Sequence, residues 1–410
     1  MAEEVTVVGH NKTPASGDLT VYVDGKIINR FESFSISHSM DVVPISFSLQ
    51  YGLSEGVNDN MLIKKLKKTN SDKNGILPVG KKVRIYLEKE LVITGYIDST
   101  TEAYSHDSHT LSIEGRSKTS VLVDSSTDKP TGTLPTNLVT LYDIADYMFS
   151  CFKIKTEDLS GNKAPKHKLA EYAQIDLTTK PYDYVSMLSQ FEGKLLYDDG
   201  RGYMIINDVA SKASDTALTD KNSKFENIMV HRTTLGRYRK YRFVINSYGG
   251  PAGWGSLIDD VVSSDQNPDD LPFNKNITLV STSGYPEDGN TDGYRMFTQD
   301  LANYTASVNW GRGQTVTALA SGFIDPTTKK IWKINTLVHF NYKKPYIKGD
   351  YVVQSVTFFI DQFGGKKTEL TFVKKESLII EPVTLAPPID GVNTKELAEA
   401  EQPPNAKENK

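Results

Sequence analysis

The segment spanning residues 79–124 constrains the fold of this chain more than any other stretch. Val83, Ile85 and Leu87 alternate with polar or amphipathic residues, and residues 109–113 repeat the alternation. A period of two is typical of half-buried strands, because successive side chains point to opposite faces of a sheet. We interpret the segment as four β-strands followed by a stop, which together form a small barrel or a strongly curled sheet.

Length and composition restrict the class of protein. The chain has 410 residues, and domains of roughly 100–200 residues predict about two to four of them. Hydrophobic residues make up 38% of the chain, which is enough for packed cores. The net charge of −4 does not predict attraction of the whole chain to DNA or to anionic membranes.

Cys151 is the single cysteine, which excludes a disulfide within the chain and a multi-cysteine metal site. Its apolar helical surroundings predict a buried, inert thiol. The N-terminal residues show no basic segment ahead of a long apolar run, and no run of about 18 apolar residues occurs. We therefore expect no signal peptide and no membrane anchor.

Residues 5–127 are predicted to form a first β-barrel-like domain. Asp24-Gly25 lies between two short apolar runs and is a strong hairpin signal. Residues 52–78 interrupt the sheet and are rich in loop formers, with about two helical turns at 61–68. The lysine cluster in those turns is interpreted as a solvated face, since no aromatic stacking partner lies nearby.

Residues 128–225 are predicted to form an α/β middle subdomain of two helices and a hairpin. Thr140 is a candidate N-cap of the first helix. Pro181 begins the second helix, where its fixed φ and missing N–H are tolerated. Gly193 ends that helix in a left-handed conformation. Turn formers at 198–202 then join two short strands.

Residues 226–381 are predicted to form a second β-barrel-like domain with a helix at 294–309. Residues 249–290 are mostly turn formers and acids, so we expect a long surface loop with one short strand at 277–280. The polar residues 382–410 are expected to form a flexible C-terminal tail. The predicted fold class is mainly β with a small α/β insert (α+β): two barrel-like antiparallel β-domains plus a middle helix-helix-hairpin subdomain.

The most basic run of the chain spans residues 237–245, where basic and apolar residues alternate. Arg237, Arg239 and Arg242 form a candidate interface strip on one face of this predicted strand. A solvated strand face, a charged contact with another protein and a DNA contact all remain open. DNA contact is favoured least, because phosphate binding normally needs a broader basic surface.

Motifs that carry chemistry are missing from the sequence. No nucleophile elbow, phosphate-binding loop or paired-histidine zinc motif occurs. His106 and His109 are the one close histidine pair, without an evident third ligand. The acid pairs at 198–199 and 259–260 would serve a glycosidase only if held across a cleft, and both fall in loop signatures. We predict no catalytic, cofactor-binding or metal-binding residue, no cofactor and no enzymatic activity.

Several short motifs occur in a characteristic order along the chain. They are Thr94-Gly95-Tyr96-Ile97-Asp98, the run from His109 to Ser117, Leu122-Val123-Asp124, and Gly349-Asp350-Tyr351-Val352-Val353. This order resembles the baseplate hub proteins of Mu-like contractile-tailed phages, which are related in fold to the hub of T-even phages and to the hub region of type VI secretion spike proteins. The motif residues expected to matter most for the structure are Gly95, Tyr96, Asp98, Gly115, Arg116, Asp124 and Gly349.

The resemblance implies a structural hub protein of a contractile phage tail or tailocin. Such hubs carry two related barrel domains per chain, and a homotrimeric ring of them adapts a six-fold tail tube to a three-fold central spike. The implied partners are tail tube protein, spike protein, other baseplate proteins, and DNA or a tape-measure protein that passes through the lumen. The implied location is the virion tail baseplate, assembled in the host bacterial cytoplasm.

Two alternatives stay open at this point. A tail-associated carbohydrate-binding or carbohydrate-cleaving β-protein would need an exposed aromatic cleft, for which Trp254, Trp310 and Trp332 are the candidates. The hub portion of a type VI secretion spike would share the fold, but a β-helix of short repeats would be expected after it, and the sequence ends in a polar segment instead.

Overall fold

The structure is a computed structural model that describes residues 19–28, 31–52, 79–106, 109–165, 169, 174–212, 217–247, 256–271, 275–281, 291–361 and 365–378. The strands are β1 (Leu19–Val23), β2 (Lys26–Ile28), β3 (Ser33–Ser39), β4 (Ser46–Gly52), β5 (Lys82–Leu87), β6 (Glu90–Tyr104), β7 (His109–Ser117), β8 (Gly132–Thr133), β9 (Lys155–Asp158), β10 (Gln174–Ile175), β11 (Leu195–Asp198), β12 (Tyr203–Asn207), β13 (Phe225–Arg232), β14 (Lys240–Ser247), β15 (Ser256–Ser264), β16 (Asn276–Ser281), β17 (Gln314–Ser321), β18 (Leu337–Tyr342), β19 (Ile347–Asp361) and β20 (Gly365–Val373). The α-helices are α1 (Val121–Asp124), α2 (Leu141–Ser150), α3 (Pro181–Glu192) and α4 (Thr291–Arg312).

One 12-stranded sheet contains most of the strands, which confirms the mainly β prediction. The strands follow one another in the order β13-β17-β20-β19-β3-β4-β7-β6-β5-β1-β2, and β18 pairs with β19 off this path. Neighbours along the path are antiparallel. Among the described strands the pairing does not return on itself, so this part of the chain contains open sheets and no closed barrel.

Strands from the two ends of the sequence meet at the centre of this sheet. β3 pairs with β19, for example through Ile36 opposite Phe358 and Phe34 opposite Ile360. The two predicted β-regions, 5–127 and 226–381, are therefore joined by a continuous hydrogen-bonded ladder.

The segment 79–124 contains three strands, and the prediction of four was wrong. β6 is 15 residues long, and it includes Gly95, a residue type that weakens the interior of a strand. The strand continues because β5 and β7 pair with it on both sides, and a bulge between Ile97 and Ser99 takes up the irregularity. The predicted hairpin at Asp24-Gly25 is confirmed, since both residues have positive φ, as a tight primed turn requires.

Aromatic rings fill the largest hydrophobic core beneath the main sheet. Phe340 and Phe372 are fully buried, and their ring centroids lie 5.0 Å apart in an edge-to-face arrangement. Tyr351 meets Phe340 in the same geometry at 5.5 Å. Such offset and edge-on pairs are favoured by the ring quadrupole. Trp332, which was considered for a sugar-binding cleft, is 2% exposed and belongs to this core.

The two helices and the hairpin of the middle region are confirmed. Thr140 accepts a hydrogen bond from the Asp143 amide, and the Asp143 carboxylate accepts one from the Thr140 amide, which forms a capping box at the start of α2. α3 begins at Pro181 and ends at Gly193, whose φ of 66° is left-handed. The α2 and α3 side chains share a second hydrophobic core with β11 and β12.

A smaller sheet interrupts the second β-region, and here the sequence interpretation was wrong. β14 lies between an antiparallel β15 and a parallel β16. Residues 249–290 were predicted to be a long loop with one short strand at 277–280. β16 confirms that strand, whereas β15 lies where a loop was predicted. β15 was not predicted because its acids and serines are typical of loops. It forms a strand because it pairs with β14. α4 packs on this sheet through Ala302 and Ala306.

Some predicted features lie outside the described residues: the helical turns at 61–68, Trp254 and the tail 382–410. No described helix combines the length and the apolar character needed to cross a bilayer.

The aromatic core makes a clear prediction. The substitution Phe372→Ala removes a fully buried ring and is expected to lower the free energy of unfolding by about 3–5 kcal/mol. The control Leu177→Ala changes a side chain that is 83% exposed and is expected to alter stability by less than about 0.5 kcal/mol. Chemical denaturation of both variants measures the difference, and equal midpoints would contradict the assigned core.

Candidate functional site

Two glycines let β6 and β7 approach each other more closely than side chains would permit. A Cβ on Gly95 would stand 2.0 Å from the Arg116 carbonyl oxygen. A Cβ on Gly115 would stand 2.2 Å from the Tyr96 carbonyl oxygen and 2.5 Å from the Phe47 ring. Real Cβ atoms do not approach backbone this closely, so only glycine fits either position without movement of a strand.

Arg116 links β7 to β6 and to α1. Its Nε donates to Asp98 at 2.5 Å, and its two terminal nitrogens donate to the two carboxylate oxygens of Asp124 at 3.1 and 2.7 Å. The hydrogen bonds with Arg116 lower the pKa of Asp124, and the hydrogen bonds with Asp124 and Asp98 raise the pKa of Arg116. The bidentate geometry directs α1 onto the end of the sheet.

Asp198, the last residue of β11, lies in a buried polar network. The Thr119 hydroxyl donates to its carboxylate at 2.6 Å, and the Gly200 amide donates to the other oxygen at 2.7 Å. Thr119 also lies 2.9 Å from the Ser117 hydroxyl. That hydroxyl accepts from the Ile45 amide at 3.1 Å. The network thus joins the main sheet, the turn after β7 and the hairpin of the middle region.

Backbone contacts also join the middle hairpin to β6. The Thr94 amide donates to the Gly200 carbonyl at 2.6 Å. Gly200 has φ +78°, and a Cβ there would stand 2.0 Å from the Val92 carbonyl oxygen. His38 on β3 donates through Nε2 to the Asp198 carbonyl at 2.7 Å, since a carbonyl oxygen can only accept. Burial lowers the pKa of His38 to about 4, so the ring is neutral near pH 7.

The environment of Asp198 differs from that of a catalytic acid. Its side chain is 1% exposed and both oxygens accept hydrogen bonds from the chain itself. Burial raises the pKa of Asp198. A glycosidase needs two carboxyl groups that face a cleft, whereas the neighbouring Asp199 forms an ion pair with Arg201 in the turn.

The structure brings six of the seven predicted structural residues together. Gly95, Tyr96, Asp98, Gly115, Arg116 and Asp124 all lie at the β6–β7–α1 junction. Gly349 lies apart, in β19 opposite Phe340, with φ +109°. Ser117, Thr119 and His38 were missed, because their partners are distant in sequence. The His38–Asp198 contact, for example, spans 160 residues.

The three arginines of the predicted interface strip have different environments. Arg237 is buried and donates to both carboxylate oxygens of Asp265, at 3.1 and 2.8 Å. Arg239 pairs with the exposed Asp269 at 2.9 Å. Arg242 points to the exposed face of β14. Arg237 therefore contributes to internal packing, and the interface role of the other two stays a prediction.

The histidines and tryptophans that were candidates for a metal site or a sugar site have separate environments. No group of three or more potential metal-binding side chains occurs within the described ranges. His109 pairs with Glu102 at 2.8 Å, while the residues between His106 and His109 lie outside those ranges. Trp310 is half-buried and Trp332 is in the core, while Trp254 lies outside the described residues.

Glycine-dependent strand contacts and the buried Asp198 network thus hold the middle region against the large sheet. Residues 18–117 match the family model described as Mu phage baseplate assembly protein GpP-like, N-terminal. The chain is 23% identical over 380 residues to the baseplate hub protein gp44 of Escherichia phage Mu, covering 89% of this chain and 90% of that protein. The resemblance to Mu-like baseplate hub proteins is therefore confirmed.

Solved structures share the fold. The 43 kDa tail protein of prophage MuSo2 from Shewanella oneidensis superposes with a TM-score of 0.69 at 20% identity, covering 88% of this chain and 99% of that one. The tail protein from Neisseria meningitidis MC58 superposes with a TM-score of 0.64 at 17% identity, covering 88% and 98% of the two chains.

The close β6–β7 contact is tested by Gly95→Ala. We expect a loss of stability of about 3 kcal/mol or more, because the added methyl group overlaps a backbone carbonyl that cannot move alone. Gly161→Ala is the matched control, since its Cβ would meet only a side-chain oxygen at 3.5 Å. Thermal unfolding of both variants measures the effect, and similar melting temperatures would refute the assigned contact.

The buried network is tested by two substitutions of Asp198. Asp198→Ala leaves the Thr119 hydroxyl and the Gly200 amide without their acceptor and is expected to cost about 1–3 kcal/mol for each stranded group. Asp198→Asn retains an acceptor and is expected to cost less. Chemical denaturation at fixed pH compares the two, and an equal loss would contradict the network.

The pH dependence follows from the raised pKa of Asp198. A carboxyl whose pKa is raised by folding stabilises the protein most below its unfolded-state pKa, and that contribution is lost as pH rises through the folded-state pKa. Asp198→Asn is therefore expected to remove this decline from the stability profile above about pH 4. An unchanged profile would show that the carboxyl is not desolvated.

Proposed function

We propose that this chain is a structural, non-enzymatic component of the baseplate hub in a contractile phage tail or tailocin. The observation that carries the proposal is the similarity to the Mu baseplate hub protein gp44, which extends over 89% of the chain. The location proposed with it is the tail baseplate of the virion, after assembly in the host cytoplasm. Tail tube protein, central spike protein and other baseplate proteins are the proposed partners.

The finer proposal is a homotrimeric ring that adapts a six-fold tube to a three-fold spike. The chain contributes an early β-unit (β1–β7) and a late one (β13 and β17–β20), and three copies would present six. Pairing between β3 and β19 supports this, because it holds the two units in one ladder. Copies that repeat the same interface around a rotation axis close into a ring. DNA or a tape-measure protein would pass through the lumen.

The proposed division of the chain keeps the predicted boundaries: a barrel-like hub domain at 5–127, the middle subdomain at 128–225, a second barrel-like hub domain at 226–381 and the tail 382–410. The middle subdomain has its own hydrophobic core, which supports its treatment as a separate unit. The Asp198 network attaches that unit to the first hub domain.

The carbohydrate alternative receives less support from the structure. Trp332 is buried among Phe225 and Phe372 and offers no surface for a sugar. Asp198 is enclosed by hydrogen-bond donors and does not face a cleft. We therefore retain the structural role as the proposal.

The ring is tested by light scattering coupled to size-exclusion chromatography of the purified chain. Three copies of the 45.6 kDa chain would give a particle of about 137 kDa, as expected for a closed three-fold ring. Negative-stain images of that particle should show a central hole. A strict monomer up to high protein concentration, with or without added tube and spike proteins, would refute self-assembly into a trimer.

A further inference from the structure

A pocket of about 470 Å³ opens between the ends of β13, α4 and β20. Its lining consists of Arg232, Thr233, Thr234, Arg237, Asn267, Asp270, Trp310, Gly313, Gln314 and Lys374. The lining is mainly polar and contains three cations against one carboxylate. Arg237 of the predicted interface strip and Trp310, a candidate for a sugar-binding cleft, belong to this lining, whereas none of the junction contacts above uses the pocket.

Two of its cations retain hydrogen-bonding capacity. The Arg232 guanidinium donates to the Tyr346 carbonyl, and no carboxylate pairs with it among the described residues. The Lys374 ammonium lies 3.9 Å from the centre of the Tyr351 ring and 6.0 Å from that of Trp310. Its hydrogen bond, to the Asp350 carbonyl, is long at 3.5 Å. A guanidinium has five donors and an ammonium three, so most of their donors are available.

Arg237 differs from these two cations because its guanidinium is already paired. It donates two hydrogen bonds to the Asp265 carboxylate, and Asp270 lies 3.6 Å from one of its nitrogens. Arg237 thus forms a fixed wall of the pocket, while Arg232 and Lys374 face its open space. Burial lowers the pKa of Lys374, and a bound anion would offset the cost of desolvating its charged form.

Exposed apolar groups and further cations lie beside the pocket. Leu235 is 82% exposed and Tyr346 is 67% exposed. Leu235 follows the lining residues Thr233 and Thr234 directly, and the Tyr346 carbonyl is held by Arg232. Lys343 and Lys344 are exposed in the same turn as Tyr346. Aromatic side chains and arginine are enriched at protein–protein contacts, which fits Tyr346 beside Arg232.

We propose that this pocket binds a carboxylate side chain of an acidic segment in a partner protein, with Arg232 and Lys374 as the binding cations and Leu235 and Tyr346 as the neighbouring apolar contacts. Arginine favours carboxylates, which it can bind through two parallel hydrogen bonds. Nucleic acid fits less well, because two available cations beside a carboxylate, even together with the exposed Lys343 and Lys344, make a small basic surface for a phosphate backbone. The proposal goes beyond the ring, since it concerns a pocket within one chain.

The test uses the full chain and a defined hexapeptide library in which each member carries two Asp or Glu residues among Leu, Tyr, Ser and Gly. A companion library has Asn and Gln at the acidic positions. Peptides retained at equilibrium are counted by mass spectrometry. We expect the acidic library to be retained about tenfold more strongly, and this preference to weaken as salt rises.

Variants connect the preference to the pocket. Arg232→Gln and Lys374→Met are expected to abolish it, whereas the matched control Arg84→Gln, an exposed arginine on β5, should keep it. Melting temperatures confirm that each variant is folded. Particle mass is measured alongside, so that a variant that forms the ring but loses peptide retention separates this proposal from the proposed assembly.

Three outcomes would overturn the proposal. The first is equal retention of the acidic and amide libraries by the wild-type chain. The second is an unchanged acidic preference in both pocket variants. The third is full displacement of the acidic peptides by millimolar inorganic phosphate or by an equal concentration of single-stranded oligonucleotide, which would show that the pocket takes any anion or a nucleic acid.

Discussion

The buried network around Asp198 is the interaction on which the arrangement of the molecule depends. A buried carboxyl is costly unless its oxygens accept hydrogen bonds. Here the Thr119 hydroxyl and the Gly200 amide supply them, and Ser117 extends the network to the Ile45 amide. Because these donors come from the sheet, from the turn after β7 and from the middle hairpin, one placement of that hairpin satisfies all of them.

Close backbone contacts add a steric constraint to this electrostatic one. Gly95 and Gly115 bring β6 and β7 together, and Gly200 brings the middle hairpin against β6. Arg116 then connects the strand pair to α1 through Asp98 and Asp124. The motifs that carry the resemblance to the Mu-like hubs are therefore placed where geometry admits few alternatives.

The pocket proposed to bind an acidic segment lies at the surface of the molecule, away from the buried network. The pocket beside Lys374 is walled by an internally paired arginine and retains cations with donors available for a partner. It lies in the late β-unit, whereas the shared motifs at the β6–β7 junction belong to the early one. The buried network and the proposed partner contact therefore lie in different parts of the same chain.

Much of the local structure could be predicted from sequence because its causes are local. The Asp24-Gly25 turn, the capping box at Thr140 and the glycine end of α3 all follow from the residues within a few positions. β15 could not be predicted, because its acids and serines become a strand only through pairing with β14. Four strands were predicted at 79–124 where three occur, and the reason is again pairing between strands. β5 and β7 both pair with β6 at Gly95, so β6 continues through that glycine as one strand.

The sequence by itself determined the alternation of apolar residues, the turns and the motif order that identifies the class of protein. Only the tertiary structure decided that β3 would pair with β19, that Arg237 would face Asp265 inside the fold and that Asp198 would meet Thr119. Each of these contacts joins groups far apart in the chain. Side-chain patterns report which face of an element is buried, whereas the partner on that face is selected by packing of the whole molecule.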